Sequence, residues 1–153
     1  MCFRDGSASA SSSDHPKPGP KAAFERQKIK EEPWLSGPGL PQSIFFKFQK
    51  PKKIGAFGFR NGRGSDYQWN NPASFNFVGL DACGTGEPNT DSTVLLNDDV
   101  EWSSQDQYQN WTIQAKKQRP FLCYGIEVLN VVGNDTHVAI QDIQMFEGKA
   151  SPV

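Results

Sequence analysis

Residues 121–132 read FLCYGIEVLNVV, and the alternation of this run decides the fold class. Leu122, Tyr124, Ile126 and Val128 fall in phase at every second position. Successive side chains of a strand point to opposite faces, so this period predicts a strand with one face on a core. Working outward, residues 43–48 (SIFFKF) place Ile44, Phe46 and Phe48 on one face. Phe75 and Phe77 are in phase within 74–78, as are Trp111, Ile113 and Ala115 within 110–115. Residues 54–59, 93–96 and 138–146 are further short apolar runs, and the segment QKPKK (49–53) reads as a turn between two of them. Short strands divided by Gly, Pro, Asn and Asp turns predict an all-β antiparallel sandwich or barrel. No fixed-period repeat is visible, which disfavours a propeller or solenoid.

Composition agrees. The chain has 153 residues, 36% hydrophobic and 22% charged, the balance of one ordinary globular domain. Eleven Phe and four Trp predict aromatic packing between sheets, and 14 Gly with 11 Pro fit many turns and few long helices. Residues 1–20 are rich in Ser, Pro and Gly and read as a loose start. Residues 21–32 (KAAFERQKIKEE) predict about three helical turns, ended by Pro33.

The formal net charge is −1, so no global charge points to nucleic acid or to an acidic membrane. The charges are segregated along the chain. Between 33 and 65 there is no Asp or Glu, but Lys47, Lys50, Lys52, Lys53, Arg60 and Arg63. Between 64 and 115 there is no Lys or Arg, and carboxylates such as Asp98, Asp99, Glu101 and Asp106 stand there. The plainest expectation is that neighbouring strands bring the two runs together as surface pairs.

No stretch approaches the ~20 apolar residues of a membrane span. The start MCFRDGSASASSSD has no apolar signal region and no Gly after Met. A cytoplasmic setting is therefore expected, or an extracellular one if the chain is a fragment. Cys2, Cys83 and Cys123 make an odd set, and Cys83 and Cys123 would pair in an oxidising compartment; reduced thiols are the expectation here. The sequons Asn110-Trp111-Thr112 and Asn134-Asp135-Thr136 weigh towards secretion.

Several segments, in order, resemble the discoidin, or coagulation-factor type C, domain of the galactose-binding-like superfamily. They are PKAAFE (20–25), EPWLS (32–36), PQSIFFKFQKPKKI (41–54), FVGLDAC (77–83), RPFLCYGIEVL (119–129) and IQDIQMFE (140–147). The resemblance implies a β-sandwich jelly roll over 7–149, with a flexible N-terminus at 1–6 and a tail at 150–153. The resemblance also implies a structural calcium near Glu25 and Glu147, although Glu25-Arg26-Gln27 is poorer in hard oxygen ligands than the Asp-Gly-Asp of many members. Cys2 has no partner near the C-terminus to tie the ends together, unlike many extracellular members.

In this fold ligand sites lie in the loops at one end. Residues 59–71, FRNGRGSDYQWNN, hold the candidates. Arg60 and Arg63 offer planar forks, Tyr67 and Trp69 flat faces for a pyranose or a protein partner, and Asn61, Asn70 and Asn71 donor–acceptor amides. Trp34 is a further candidate, read more readily as structural, and Trp102 and Tyr108 flank an acidic loop where they either extend the surface or simply cover the sandwich edge. Cys123 with His137 is the single nucleophile–base pairing open to the chain, and the core character of its strand counts against it. With His15 and His137 as the only histidines, a zinc site lacks its spacing, and no enzyme is expected. Two binding functions remain. One is lectin-like recognition of a glycan through the end loops. The other is an intracellular protein-interaction subunit docking on a larger assembly, such as a ciliary or axonemal one.

Overall fold

The period-two runs of the sequence become eight strands in the computed structural model, which describes residues 6–13, 19–24, 33–62, 65–83, 92–133 and 136–148. In chain order they are β1 (Gly6–Ala10), α1 (Lys21–Phe24), β2 (Trp34–Leu35), β3 (Gln42–Arg60), a 3-10 helix (Ser65–Asn70), β4 (Pro72–Leu80), β5 (Thr93–Asp99), β6 (Tyr108–Thr112), a second 3-10 helix (Ala115–Lys117), β7 (Pro120–Val131) and β8 (Ala139–Glu147). All pairings are antiparallel. One sheet runs β1-β3-β7-β4-β5 and the other β6-β3-β8-β2. This is the antiparallel β-sandwich expected.

The two sheets share β3. Its first half, Gln42 to Lys47, pairs with β7 and β1; its second half, Ile54 to Arg60, pairs with β8 and β6. QKPKK is thus no free turn. The β7 ladder resumes at Lys52 opposite Phe121 after a register shift from Lys47 opposite Cys123, so the segment is an irregularity within one 19-residue strand. The extra residues re-aim the strand and carry it from one sheet to the other.

That shift also corrects the reading of β7. Tyr124, Ile126 and Val128 point into the main core as expected, but Leu122 packs with the second cluster and Phe121 takes the core position. Ile44, Phe46, Phe48, Phe75 and Phe77 all join the main core. Phe57 of one sheet stacks on Phe77 of the other at 3.8 Å between centroids, and Trp111 stacks on Phe57 and Phe59. Such ring pairs add to the burial of the rings themselves.

A second, smaller cluster of Phe45, Val78, Leu80 and Cys123 lies apart from the main core, with Cys83 and Leu122 against it. Here Cys83 and Cys123 are joined as a disulfide, their Cα atoms 6.2 Å apart. The expectation of reduced thiols is overturned. The segment after β4 carries Cys83 to the one cysteine that β7 buries, a proximity that sequence separation hides.

The Ser-rich start holds strand β1, which the composition concealed. Ala8 and Ala10 pack on the core while the strand pairs with residues 44–48 of β3. Of the helix expected over 21–32, Lys21–Phe24 is helical, and residues 25–32 lie outside the described residues. Among the described residues no helix is long and apolar enough to cross a membrane.

Candidate functional site

Both ends of β3 reach the same end of the sandwich, where the Ser65–Asn70 helix and the 100–107 loop meet. Asn61 joins them. Its Nδ2 donates to the Ser104 carbonyl at 2.8 Å, and its Oδ1 accepts from the Gln107 backbone N–H at 2.7 Å. Asn71 adds a bond from Nδ2 to Gln105 Oε1 at 2.5 Å and accepts at Oδ1 from the Gly62 N–H at 3.3 Å. Asn70 donates to the His137 carbonyl at 3.2 Å. All three asparagines are buried, so their amides frame the loops.

This frame holds open a groove of about 620 Å³, within the usual range for a small-molecule site. Gln68, Trp69 and Asn71 line it from the helix side. Val100, Glu101, Trp102, Ser103, Ser104 and Gln105 line it from the facing loop, with Val132 between. Trp69 is 56% exposed and Val132 49% exposed. Gly133 sets the tryptophan outward. Its N–H donates to the Trp69 carbonyl at 3.0 Å, and a Cβ there would stand 2.6 Å from the Trp69 Cβ. Only glycine lets the two backbones come this close. Trp102 is anchored differently: its indole N–H donates to the Pro72 carbonyl at 2.7 Å, leaving the ring partly exposed in the groove. Glu101 is the charged side chain among the described lining residues.

Arg60 stands beside the groove and is committed to its neighbours. Its Nε lies 3.3 Å from Asp142 Oδ2, its Nη1 donates to the Asp106 carbonyl at 2.8 Å, and its side chain is 32% exposed. The guanidinium also lies over the Tyr108 ring, 5.8 Å from its centroid. Burial first, then the Asp142 charge, pushes the Tyr108 hydroxyl up in pKa, and Arg60 opposes this.

The tract 59–71 therefore separates into parts. Trp69 lines the groove, Arg60 and the three asparagines shape its surroundings, and of Tyr67 only the backbone, within the helix, is described. Arg63 lies outside the described residues, as do Glu25, His15 and Asn134. Trp34 is fully buried, donating from its indole N–H towards the Ser12 carbonyl at 3.2 Å and Ser13 Oγ at 3.1 Å. It belongs to the core and cannot present a face to a ligand. Sequence reading missed Gln68, Glu101, Ser103, Ser104, Gln105 and Val132 as lining. The aromatic–acidic loop around Trp102 was the one signal for most of them, and Val132 carried none.

The nucleophile–base pairing does not stand, because the Cys123 sulfur is bonded to Cys83 and buried. Glu147 is exposed and lies 3.4 Å from Lys52 Nζ. Among the described residues no group of three or more His, Cys, Asp or Glu is placed to hold a metal ion. Of the two carboxylates that the resemblance assigns to a calcium, Glu147 keeps the Lys52 ammonium beside it, and Glu25 lies outside the described residues. Asn110 is exposed on β6.

No family model matches the sequence, and no curated protein matches it. Solved structures do match. The carbohydrate-binding module CpGH89CBM32-5 from Clostridium perfringens, in complex with GalNAc-β-1,3-galactose, aligns with a TM-score of 0.71 at 16% identity over 94% of this chain and 96% of that one. The chitosan-binding module 1 from a chitosanase/glucanase of Paenibacillus sp. IK-5 aligns at 0.68 and 13% identity, over 93% and 95%. The F5/8 type C domain of a Bacteroides fragilis protein aligns at 0.74 and 14% identity, over 98% and 96%. The fold is that of the galactose-binding-like β-sandwich.

Proposed function

We propose that the chain is a non-enzymatic module that binds a glycan in the groove between Trp69 and the 100–105 loop. One observation carries the reading. An indole stands 56% exposed on a groove that, beside Val100, Trp102 and Val132, offers the amides of Gln68, Asn71 and Gln105, the hydroxyls of Ser103 and Ser104 and the carboxylate of Glu101. A pyranose needs this pairing, since its C–H face packs on a flat ring and its hydroxyl rim seeks donors and acceptors. That CpGH89CBM32-5 was solved with GalNAc-β-1,3-galactose and that the Paenibacillus module binds chitosan support a saccharide as the ligand. Docking on a larger assembly has no comparable support. Among the described residues the exposed large apolar side chains are Trp69, Val94, Val132 and Phe146; the first and third share the groove, and the others lie on different strands.

A monosaccharide of about a dozen heavy atoms at ~0.3 kcal/mol each would bind with a Kd of about 1 mM. Titration with a panel of neutral mono- and disaccharides, followed by tryptophan fluorescence and calorimetry, tests this. At least one sugar should saturate the wild type, and Trp69→Ala should weaken it by about tenfold or more, about 1.4 kcal/mol. Binding that Trp69→Ala leaves intact, or a folded wild type that takes no sugar, sinks the reading. Calcium forms no part of it, so EDTA should leave the titration unchanged.

A further inference from the structure

At the end of the sandwich opposite the groove, the irregular middle of β3 presents Lys50, Lys52 and Lys53, with Lys47 just before the register shift. The Ala115–Lys117 helix is fastened to the same end. The Ile113 N–H donates to the Gly55 carbonyl at 2.9 Å, and the Tyr124 hydroxyl lies 2.5 Å from the Lys52 carbonyl and 3.1 Å from that of Arg119. Lys116, Lys117 and Arg119 are thereby added to the lysines of β3. All of these but Lys53 are exposed, and Lys53 is half-buried. The carboxylates described beside them are Asp81, bonded to Arg119 at 2.8 Å, and Glu147 near Lys52.

The groove end has the opposite sign. Asp98, Asp99, Glu101 and Asp106 gather there, and its Arg60 is held by Asp142 and Asp106. Apart from Arg60 held by Asp106, Arg119 held by Asp81 and Lys52 near Glu147, these charges stand with the lysines at one end and the carboxylates at the other, in a chain of net charge −1. Cations gathered within a Debye length, about 10 Å at 0.1 M salt, act on a polyanion together.

Two features narrow the partner. The segment QKPKK carries no aromatic or large aliphatic side chain, and Phe146 is a lone exposed ring beside it, too little to anchor in a lipid layer or to stack successive bases. Lys47 stands opposite Cys123 of the disulfide in the ladder. Disulfides persist in oxidising compartments, where the polyanions met are acidic polysaccharides rather than nucleic acids. We infer that the basic end is a second binding surface, separate from the groove, for a sulfated or uronate-bearing polysaccharide.

Heparin is the probe, applied to the full chain in immobilised form. At about 0.15 M NaCl the wild type should be retained despite its negative net charge, with affinity falling steeply as salt rises. Lys50→Glu with Lys116→Glu, both on exposed side chains, should lower affinity by about tenfold or more. The milder Lys50→Gln with Lys116→Gln should lose part of it, which guards against a folding defect in the reversed protein. Trp69→Ala should elute with the wild type, so a failure here is separable from a failure of the groove. A wild type that flows through, a charge-reversed protein retained like the wild type, or phosphatidylserine vesicles bound as tightly as heparin overturns the inference.

Discussion

Tyr124 shows how much a single side chain settles in this fold. The ring lies in the core between Phe77 and Phe121, while its hydroxyl accepts from the Ile54 N–H at 3.2 Å and reaches the carbonyls of Lys52 and Arg119. The irregular middle of β3 and the start of β7 are thus held by one phenol. Burial pushes its pKa above the usual 10.0, against the Ile54 bond that favours the ionised form. A raised folded-state pKa means that the folded protein keeps the proton longer than the unfolded chain does. Stability from this group is therefore complete below pH ~10 and lost as pH climbs from there through the raised value. Tyr124→Phe should lower stability at pH 7 by about 1–2 kcal/mol, because backbone groups lose their partner. It should also lessen the fall between pH ~9 and ~11, the remainder resting with Tyr108. Urea unfolding across that range checks both. A mutant as stable as the wild type at pH 7 would show that the hydroxyl holds nothing. At this same scale the sequence read Trp34 more readily as structural, and it is buried, while Trp69, offered as an open flat face, is 56% exposed. Exposure was decided by what packs on each tryptophan: Gly133 behind one, the core around the other.

Among the elements, β3 and β7 organise the rest. Each half of β3 serves a different sheet, and β7 pairs with β3 on one side and β4 on the other. The disulfide ties the segment after β4 to β7 across 40 residues. By the chain-entropy account a loop of this length is worth about 3–4 kcal/mol, and measured bonds often give less. Replacing both cysteines by alanine should therefore cost about 2–4 kcal/mol in urea unfolding, with the native fluorescence of the groove retained. A double mutant within ~0.5 kcal/mol of the wild type would mean that the bond adds nothing to this fold. The elements were legible where alternation was uninterrupted: Ile44, Phe46 and Phe48, or Phe75 and Phe77. They were misread where the ladder slips. A shifted register exchanges the two faces of a strand, so the phase inferred for Leu122 failed two residues from where it held for Tyr124. Strand β1 was missed because Ser and Ala carry little strand preference, and its pairing with β3 supplies what composition does not.

Across the whole molecule, the groove and the basic end lie at opposite ends of one rigid sandwich. Sites that far apart with no shared residue should act independently. Trp69→Ala and the Lys50→Glu/Lys116→Glu pair should each weaken one binding activity by about tenfold or more and spare the other, and the wild type should hold sugar and heparin at once. Competition between the two ligands in a calorimetric titration would show instead that a single surface serves both.

By itself the sequence determined that this is a single antiparallel β-sandwich, because period-two burial is written in the order of residues. It also singled out the tract 59–71, whose Trp69 lines the groove. Tertiary structure alone decided the rest. It paired Cys83 with Cys123, set Trp102 and the 100–105 loop across from Trp69, withdrew Arg60 into an ion network, and gathered the lysines of β3 at the end away from the groove. Each of these depends on which strands become neighbours and where a ladder slips. Those are long-range properties, set by packing, that no local pattern of residues encodes.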